Sequence, residues 1–296
     1  MIKLCKNNRI KLLFASEMEY GNFGDLLSRY LIEKLTGAIV EKYDHRKEYT
    51  IHLDAIGSIL GRPEICSPAI IWGSGFLSPQ PLWKIKLSQL GWFLRGKNSR
   101  PTVYAVRGKL TRDILVKSGI VCPEIYGDPA LLMPMIYNKS VPKKYRLGVI
   151  LHHNHQHFKD QFLHPDVKWI DVYRRYREIE SFINEVLECE AVLSSSLHGL
   201  IIPNAYRIPC VRLKIEGHSI HPKADREDFK FKDYLSGLNS YCKEDAYDFS
   251  SLLFDANSHI DNNILNRIAE SATSPSFSID YTKLLSALPK ELFCSS

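Results

Sequence analysis

The sequence AVLSSSLHGLIIPNAYRIPCV (residues 191–211) predicts a buried strand, a polar turn, a helix and a second strand in succession. The apolar run 191–193 is typical of a parallel strand, and His198 opens the helix after the serines 194–196. At the carboxyl edge of a parallel sheet, helix-start N–H groups favour an anion, and a histidine beside them exchanges protons near neutral pH. The stretch therefore predicts an anion site with a proton donor. The alternative is that the serines only cap the helix and that His198 is a structural histidine.

The length and charge of the chain limit the class of protein. Its 296 residues can form two domains, and the turn-rich segment 137–142 predicts a boundary between domains 1–140 and 141–296. The net charge is +6, from 39 Lys and Arg against 33 Asp and Glu, without a dense basic run. This balance favours a small anionic substrate or an anionic membrane surface and argues against nucleic acid as a partner.

The cysteines and the apolar segments predict a location. The seven cysteines are scattered and never stand in Cys-x-x-Cys spacing, which is typical of reduced thiols in a cytoplasmic protein. The apolar run 10–15 is too short for a signal peptide, and no run of about 18 apolar residues would span a membrane. We therefore expect a soluble cytoplasmic protein.

A glycine-containing turn follows the strand predicted at residues 10–15. The motif GNFGD (residues 21–25) leads into a helical pattern that Gly37 ends. Asn22 and Asp25 supply polar groups that would bind sugar hydroxyls at the carboxyl edge of the sheet. A tight turn with Asp25 as a helix cap is the alternative. The motif is not a dinucleotide-binding fingerprint, because the third glycine is missing.

Further strands of the first half end in polar or charged turns. The strand 69–72 ends in GSGF, and IYGDP (residues 125–129) forms another strand with a tight turn. The strand 102–106 ends at Arg107. Because a forked guanidinium can hold a carboxylate or phosphate through two bonds, Arg107 is a candidate anion ligand.

The segment 78–98 combines lysines with the aromatic residues Trp83, Trp92 and Phe93. This composition favours a mobile flap or a surface that meets lipid or sugar. Packing of the same aromatic residues in the core is the alternative.

The second half contains two unusual local patterns. The run HHNHQH (residues 152–157) suggests a metal site, but no carboxylate or cysteine stands at a ligand spacing, so we expect no metal there. The run FKFKDY (residues 229–234) predicts a phosphate-facing element or an edge strand with solvated lysines. Two helical patterns, 264–272 and 281–288, are expected to brace the first domain.

Five motifs in order resemble those of the polysaccharide pyruvyl transferase family, in the branch that decorates bacterial exopolysaccharides and surface glycans. The resemblance extends from about residue 20 to residue 235, and FKFKDY is similar to a late motif of that branch. The motifs are GNFGD (21–25), WGSG (72–75), AVRG with Thr111 and Arg112 (105–112), YGDPA (126–130) and SSSLHG (194–199).

The resemblance implies an α/β fold with two Rossmann-like lobes, similar to a GT-B glycosyltransferase, and an active site in the cleft between them. It implies phosphoenolpyruvate as the donor and a cyclic ketal on two hydroxyls of one hexose as the product. The acceptor is then a bacterial surface polysaccharide or its lipid-linked precursor. The lobe 1–140 is expected to bind the acceptor, and the lobe 141–296 the donor. No cofactor is expected, because the phosphate of phosphoenolpyruvate is already an activated leaving group.

The chain departs from the family pattern at Ser196. Many relatives have arginine there, next to the Leu-His-Gly, and that arginine is associated with donor binding. The resemblance therefore implies that Arg107, Arg112 or Lys230 supplies the positive charge in this chain. His152 matches a histidine that follows the first strand of the second lobe in relatives.

The positions of the motifs and the resemblance together imply roles for named residues. His198 is predicted to be the general acid that protonates the donor, and Asp25 the base. The predicted donor-binding residues are Arg107, Arg112, Ser195, Ser196, Leu197, Gly199 and Lys230. The predicted acceptor-binding residues are Asn22, Asp25, Gly73, Ser74, Asp128 and His152.

Two other functions are compatible with the sequence. A glycosyltransferase that uses a nucleotide sugar would need the same two-lobed frame and helix-end anion site. A non-catalytic glycan-binding module would use Trp83, Trp92 and Phe93 as platforms. A lipid-linked acceptor would also bring the protein into peripheral contact with the cytoplasmic face of the inner membrane.

Overall fold

The computed structural model describes residues 8–61, 63–94, 100–215, 224–238, 248–250, 259–272 and 281–292. These residues form a mixed α/β protein with two five-stranded parallel sheets. The strands are β1 (Arg9–Leu12), β2 (Tyr20–Asn22), β3 (Ile39–Lys42), β4 (His52–Asp54), β5 (Ala69–Trp72), β6 (Thr102–Ala105), β7 (Tyr145–Ile150), β8 (Val167–Trp169), β9 (Tyr173–Arg175), β10 (Cys189–Ser194), β11 (Cys210–Lys214) and β12 (Asp248–Ser250). The helices are α1 (Phe23–Thr36), α2 (Leu82–Leu94), α3 (Lys109–Lys117), α4 (Met133–Ile136), α5 (Ile179–Leu187), α6 (His198–Ala205), α7 (Ala224–Gly237), α8 (Asn262–Ser271) and α9 (Tyr281–Ser286).

The first half of the protein, from β1 to α4, contains the first sheet, with the strand order β3-β1-β4-β5-β6. All four residues of β5 are buried, as expected of a strand covered on both faces. Strand β4 lies in a segment for which no strand was predicted from the sequence. Two of its three residues, His52 and Asp54, are polar but fully buried, so the hydrophobic pattern of a central strand is absent there.

Helix α1 confirms the helix predicted after GNFGD. The side chain of Asn22 accepts a hydrogen bond of 3.0 Å from the backbone N–H of Gly24 and so caps the helix. At the other end Gly37 adopts the left-handed conformation, with φ of 68°, which stops the helix. Asp25 is therefore not the cap, and its carboxylate is available for other contacts.

The second half of the protein, from β7 to α9, contains the second sheet, with the strand order β12-β11-β10-β7-β8. Strand β10, helix α6 and strand β11 form the predicted strand, turn, helix and strand, and β10 pairs in parallel with β11 and β7. His198 is the first residue of α6, as predicted. The apolar residues of β10 are buried on both faces of the sheet and those of α6 in one of the two apolar clusters, which explains the continuous apolar run in the sequence.

Helix α7 corrects the edge strand considered for FKFKDY. Aromatic and lysine residues alternate in 229–232, which imitates the period of a strand, but the segment is helical. Both Phe229 and Phe231 are buried, because α7 lies between the two halves of the protein and is covered on several faces. Phe229 packs in the apolar cluster of the first half. Tyr234 accepts a hydrogen bond of 3.0 Å from the side chain of Asn204 in α6.

The two halves share a continuous apolar core. Strand β2 pairs antiparallel with β9, so that the first half contributes to a two-stranded ribbon with the second. Phe23 of α1 stacks on Phe182 of α5, with ring centroids 3.7 Å apart. The indole of Trp72 donates a hydrogen bond to the carbonyl of Leu284 in α9, which places this helix against the first sheet. None of the helices in the described residues is both long enough and apolar enough to cross a membrane.

Candidate active site

Each sheet has a switch point, where the order of the strands reverses, and a cavity lies at these two points. In the first sheet, β3 lies on one side of β1 and β4 on the other. In the second sheet, β8 lies on one side of β7 and β10 on the other. Ligands of open parallel sheets bind at such switch points, outside the carboxyl ends of the strands. The loops that follow β1, β4, β7 and β10 all contribute to one cavity of about 320 Å³.

The cavity brings together residues that are far apart in sequence. The first half contributes Ala15, Ser16, Gly21, Asn22, Asp25, Gly57, Ser58 and Leu77. The second half contributes His152, His153, Tyr173, Ser196, Leu197, His198 and Lys230. The predicted site residues Asn22, Asp25, His152, Ser196, Leu197, His198 and Lys230 therefore share one cavity.

Asp25 is the acidic residue of the first-half wall. Its Oδ2 accepts a hydrogen bond of 2.7 Å from Ser16 Oγ, and Ser16 Oγ in turn accepts one from the backbone N–H of Asn22. Burial raises the pKa of Asp25, although the hydrogen bond from Ser16 and the charge of Lys42 act in the opposite direction. A carboxylate with a raised pKa accepts a proton more readily, which suits a general base.

His198 of the second half packs against helix α1 of the first. A Cβ atom at Gly24 would overlap the imidazole ring of His198, so the close approach of the two helix starts requires glycine. Burial, with the positive charges of Arg107 and Lys230, lowers the pKa of His198 to about 3. The ring is therefore neutral at physiological pH.

Asp128 lies behind His198 and is fully buried. Its Oδ2 is 3.8 Å from His198 Nε2, and neither atom has a hydrogen-bond partner among the described residues. Burial raises the pKa of Asp128 to about 7, although the hydrogen bond from Ala130 N and the charge of Arg107 lower it. The carboxyl group thus holds a proton below neutral pH. A catalytic contact that is long without substrate often tightens when substrate binds.

The contact between Gly24 and His198 yields a prediction. We expect Gly24→Ala to reduce turnover by about tenfold or more, because the added methyl group displaces the imidazole ring and small misplacements of catalytic groups are costly. Gly91→Ala is the matched control, since a Cβ atom there meets no heavy atom within 4 Å in the described residues. Steady-state kinetics of the two variants measure the effect. Equal turnover in both would show that the position of His198 is unimportant.

Lys230 supplies positive charge to the cavity. Among the described residues that line the cavity, Lys230 is the one with a lysine or arginine side chain. Its charge lowers the pKa values of both His198 and His153. Ser196 lines the same cavity. Helix α7 therefore brings a cation to the cavity that Ser196 also lines.

Arg107 follows the carboxyl end of strand β6, as predicted, but it is not among the residues that line the cavity. Its guanidinium is fully buried and donates hydrogen bonds to Asp233 of α7, to the carbonyl of Phe76 and to Ser58 Oγ. Asp233 also accepts from the backbone N–H and the hydroxyl of Thr111. The side chain of Arg107 is thus committed to holding α7 against the first half. It positions Ser58 and Lys230 and does not itself line the cavity.

The other predicted residues also lie outside the cavity lining. Arg112 pairs with Glu124 at 3.1 Å on the surface of α3. Ser74 is buried and donates a hydrogen bond to the carbonyl of Asp54. Gly73 packs against Pro129, and Gly199 packs against Ser194. These residues shape the strand ends, and Asp128 acts from behind His198.

Ser195 connects the turn after β10 with the histidine run 152–157. Ser195 Oγ accepts a hydrogen bond of 2.9 Å from the backbone N–H of His152 and lies 3.0 Å from His155 Nδ1. His155 is buried, whereas His152 and His153 line the cavity. No group of three or more potential metal ligands is present in the part of the chain that the structure describes.

The cavity lining also includes residues that were not predicted from the sequence, among them Ser16, Gly57, Ser58 and Tyr173. Ser58 follows β4, a strand without a continuous apolar run. Tyr173 reaches the cavity because β9 pairs with β2. Ser16 could have been found from its position a few residues after the predicted first strand.

A second cavity of about 510 Å³ adjoins the first and shares Ala15 and Ser58 with it. It extends along the first half, where Lys42, Arg46 and Glu64 contribute to its lining. Space for a ligand therefore continues from the wall that carries Asp25 toward the surface of the first sheet.

The fold and the cavity define an α/β protein with two parallel sheets, in which loops at the carboxyl ends of the strands line one cavity that contains carboxyl and imidazole groups. The family model described as polysaccharide pyruvyl transferase matches residues 22–216. The chain belongs to the polysaccharide pyruvyl transferase family, and the resemblance of its motifs is confirmed. It is also similar to an uncharacterized protein, L143, of Acanthamoeba polyphaga mimivirus, with 26% identity over 224 residues that cover 73% of this chain and 70% of that protein. No solved structure matches the chain.

Proposed function

We propose that the protein transfers the pyruvyl group of phosphoenolpyruvate to two hydroxyls of one hexose, in a surface polysaccharide or its lipid-linked precursor. The observation that carries this proposal is the convergence of His198, Asp25 and Lys230 in one cavity of a pyruvyl transferase family member. The arrangement supplies an acid, a base and a cation. In this proposal the two halves act as GT-B-like lobes, with the acceptor on the first and the donor on the second.

The reaction adds one proton to the methylene carbon, removes one from each of two hydroxyls and releases one leaving group. Protonation of the methylene carbon makes the adjacent carbon electrophilic, and one sugar hydroxyl attacks it. Phosphate then leaves, and the second hydroxyl closes the ketal. The two hydroxyl protons balance the reaction, since one replaces the proton taken up by the methylene carbon and the other leaves with hydrogen phosphate.

We assign the first proton to the pair formed by Asp128 and His198. Asp128 holds a proton near neutral pH, and His198 passes it to the donor. Asp25, on the opposite wall, accepts the proton of the attacking hydroxyl. The adjoining cavity offers room for further sugar residues of the acceptor, which supports a polymeric or oligosaccharide substrate.

Lys230 replaces the missing arginine at position 196 in this proposal. We expect Lys230→Ala to raise the KM for phosphoenolpyruvate by roughly tenfold to a hundredfold, because lost hydrogen bonds to charged groups cost about 1.5–3 kcal/mol. The KM for the acceptor should change much less. Lys232→Ala, on an exposed position of the same helix, is the matched control. A rise in the acceptor KM alone would assign Lys230 to the sugar site.

A ligand screen tests the proposed function itself. Phosphoenolpyruvate is expected to raise the melting temperature of the protein, and phosphate release should require both phosphoenolpyruvate and a hexose-containing acceptor. A shift with nucleotide sugars and none with phosphoenolpyruvate would instead indicate a glycosyltransferase. Binding of glycan without any turnover of either donor would indicate a binding module.

The proposed chemistry also predicts the effect of metal removal. We expect turnover to survive exhaustive treatment with a chelator, because the phosphate leaving group needs no Lewis acid and the cavity supplies Lys230. The measurement is phosphate release before and after chelation, with zinc and manganese added back separately. Loss of activity that one of these metals restores would assign a metal to the histidine run 152–157.

A further inference from the structure

Helix α2 presents an apolar stripe to the surface. Exposed large apolar side chains are concentrated on this helix, each between 53% and 74% exposed, and they are Trp83, Leu87, Leu90, Phe93 and Leu94. Four of them follow the spacing i, i+4, i+7 and i+11, so they form one line along the helix.

The inward face of the same helix is already occupied. Ile85 is fully buried in the apolar cluster of the first half, and Trp92 packs against that cluster. The side chain of Gln89 donates a hydrogen bond of 3.1 Å to the carbonyl of Ser118. These contacts hold the inward face of the helix on the first half, and the outer stripe lies outside that apolar cluster.

Basic residues stand on the helix and follow it in the sequence. Lys84 and Lys86 are exposed on α2, and the sequence continues with Arg95, Lys97 and Arg100. The sequence contains no Asp or Glu between Glu64 and Asp113, and Glu64 is itself buried. An apolar stripe with basic flanks complements an anionic lipid surface, in which acyl chains lie below phosphate headgroups.

We propose that helix α2 docks the protein on an anionic phospholipid bilayer, with Trp83, Leu87, Leu90 and Leu94 inserted at the interface. The helix lies parallel to the membrane plane and does not cross it. Docking is independent of the proposed function, but the two fit together. Leu77 lines the cavity and α2 begins five residues later, so the docked helix places the cavity close to the membrane surface.

Vesicle sedimentation tests this proposal with the full chain. The protein is expected to pellet with vesicles of phosphatidylcholine and phosphatidylglycerol, to bind phosphatidylcholine vesicles much less, and to lose binding as salt increases. Leu87→Ser with Leu90→Ser should lower the affinity for anionic vesicles about tenfold or more. Lys84→Ser with Lys86→Ser should lower it by a similar factor.

Leu163→Ser is the matched control, because Leu163 is exposed to the same extent as Leu87 but lies in the second half. The control should bind like the wild type. The proposal is overturned if the wild type stays in the supernatant with anionic vesicles, or if the α2 variant binds as tightly as the control. A dimer in sedimentation velocity that Leu87→Ser with Leu90→Ser dissociates, without vesicle binding, would show that a second copy covers the stripe instead.

Phosphate release with a water-soluble acceptor separates this proposal from the proposed function. We expect equal rates in the wild type and in the α2 variant, because α2 contributes no residue to the cavity. Loss of vesicle binding with full turnover would therefore support docking through α2. Absence of turnover in both proteins would argue against the proposed function and leave the vesicle result unaffected.

Discussion

His198→Ala is expected to lower turnover at least about a hundredfold while the protein remains folded, since a positioned general acid contributes about 10² to 10⁴-fold. The side chain lies at the start of α6, lines the cavity and is 3.8 Å from the buried carboxyl of Asp128. Its removal leaves the proton of Asp128 without a path to the donor. Phosphate release under saturating substrates measures the effect.

His157→Ala is the control for this variant, because His157 belongs to the histidine run but does not line the cavity. It should retain wild-type turnover. Near wild-type phosphate release by a folded His198→Ala protein would remove His198 from the mechanism.

The pH dependence of the reaction gives a second readout for the same pair. Burial raises the pKa of Asp128 to about 7, so its proton is present below that pH and is lost above it. Turnover of the wild type should therefore fall as the pH rises through about 7. The amide of Asp128→Asn cannot ionise, so the fall in turnover around pH 7 should disappear in that variant, and its overall rate should be lower. An unchanged fall would assign the ionisation to another group.

Asp233→Ala is expected to lower the free energy of unfolding by about 3–5 kcal/mol, the usual effect of removing one partner of a buried ion pair. The carboxylate of Asp233 binds the guanidinium of Arg107 at 2.9 Å, and both side chains are fully buried. It also accepts two hydrogen bonds from Thr111. Without Asp233, the charge of Arg107 would remain uncompensated in the interior. Chemical denaturation measures the loss.

Glu124→Ala is the matched control, because Glu124 pairs with Arg112 on the surface and is 72% exposed. Its effect should be below about 1 kcal/mol, as for other exposed ion pairs. Replacing both partners, in Arg107→Met with Asp233→Leu, should recover part of the lost stability. An Asp233→Ala protein as stable as the Glu124→Ala protein would contradict the structural role of this pair.

Arg107→Lys separates this structural role from donor binding. Lysine keeps the charge but cannot donate to Asp233, Ser58 and Phe76 at once, so we expect lower stability. An increase in the KM for phosphoenolpyruvate without any loss of stability would return Arg107 to the donor site, as the strand-end position first predicted.

Local sequence patterns were sufficient for many elements of the fold. The apolar run of β5, the helix ended by Gly37 and the unit of β10, α6 and β11 all occur where the periodicity predicts them. These elements depend on neighbouring residues in the chain, through helix caps, turn residues and the spacing of apolar side chains. The motifs at the strand ends were also sufficient to identify the family.

Strand β4 and helix α7 could not be predicted in the same way. The three residues of β4 include buried His52 and Asp54, so the strand lacks the continuous apolar run that is typical of a strand buried on both faces. Helix α7 has buried side chains on several faces because two halves of the protein cover it, and its alternating aromatic residues therefore imitate a strand. In both cases tertiary burial outweighed local propensity.

The sequence placed His198 and Asp25 at strand ends, but it could not distinguish a charged side chain that faces the cavity from one that is buried. The sequence offered Arg107, Arg112 and Lys230 as donor cations and favoured Arg107, because it follows directly on a strand. The structure separates them, because Asp233, 126 residues away in the chain, binds Arg107 in the interior, while Lys230 on the same helix lines the cavity. The reason is physical: secondary structure follows from neighbours within a few residues, whereas the burial, pairing and pKa of a charged group depend on which distant segments pack around it.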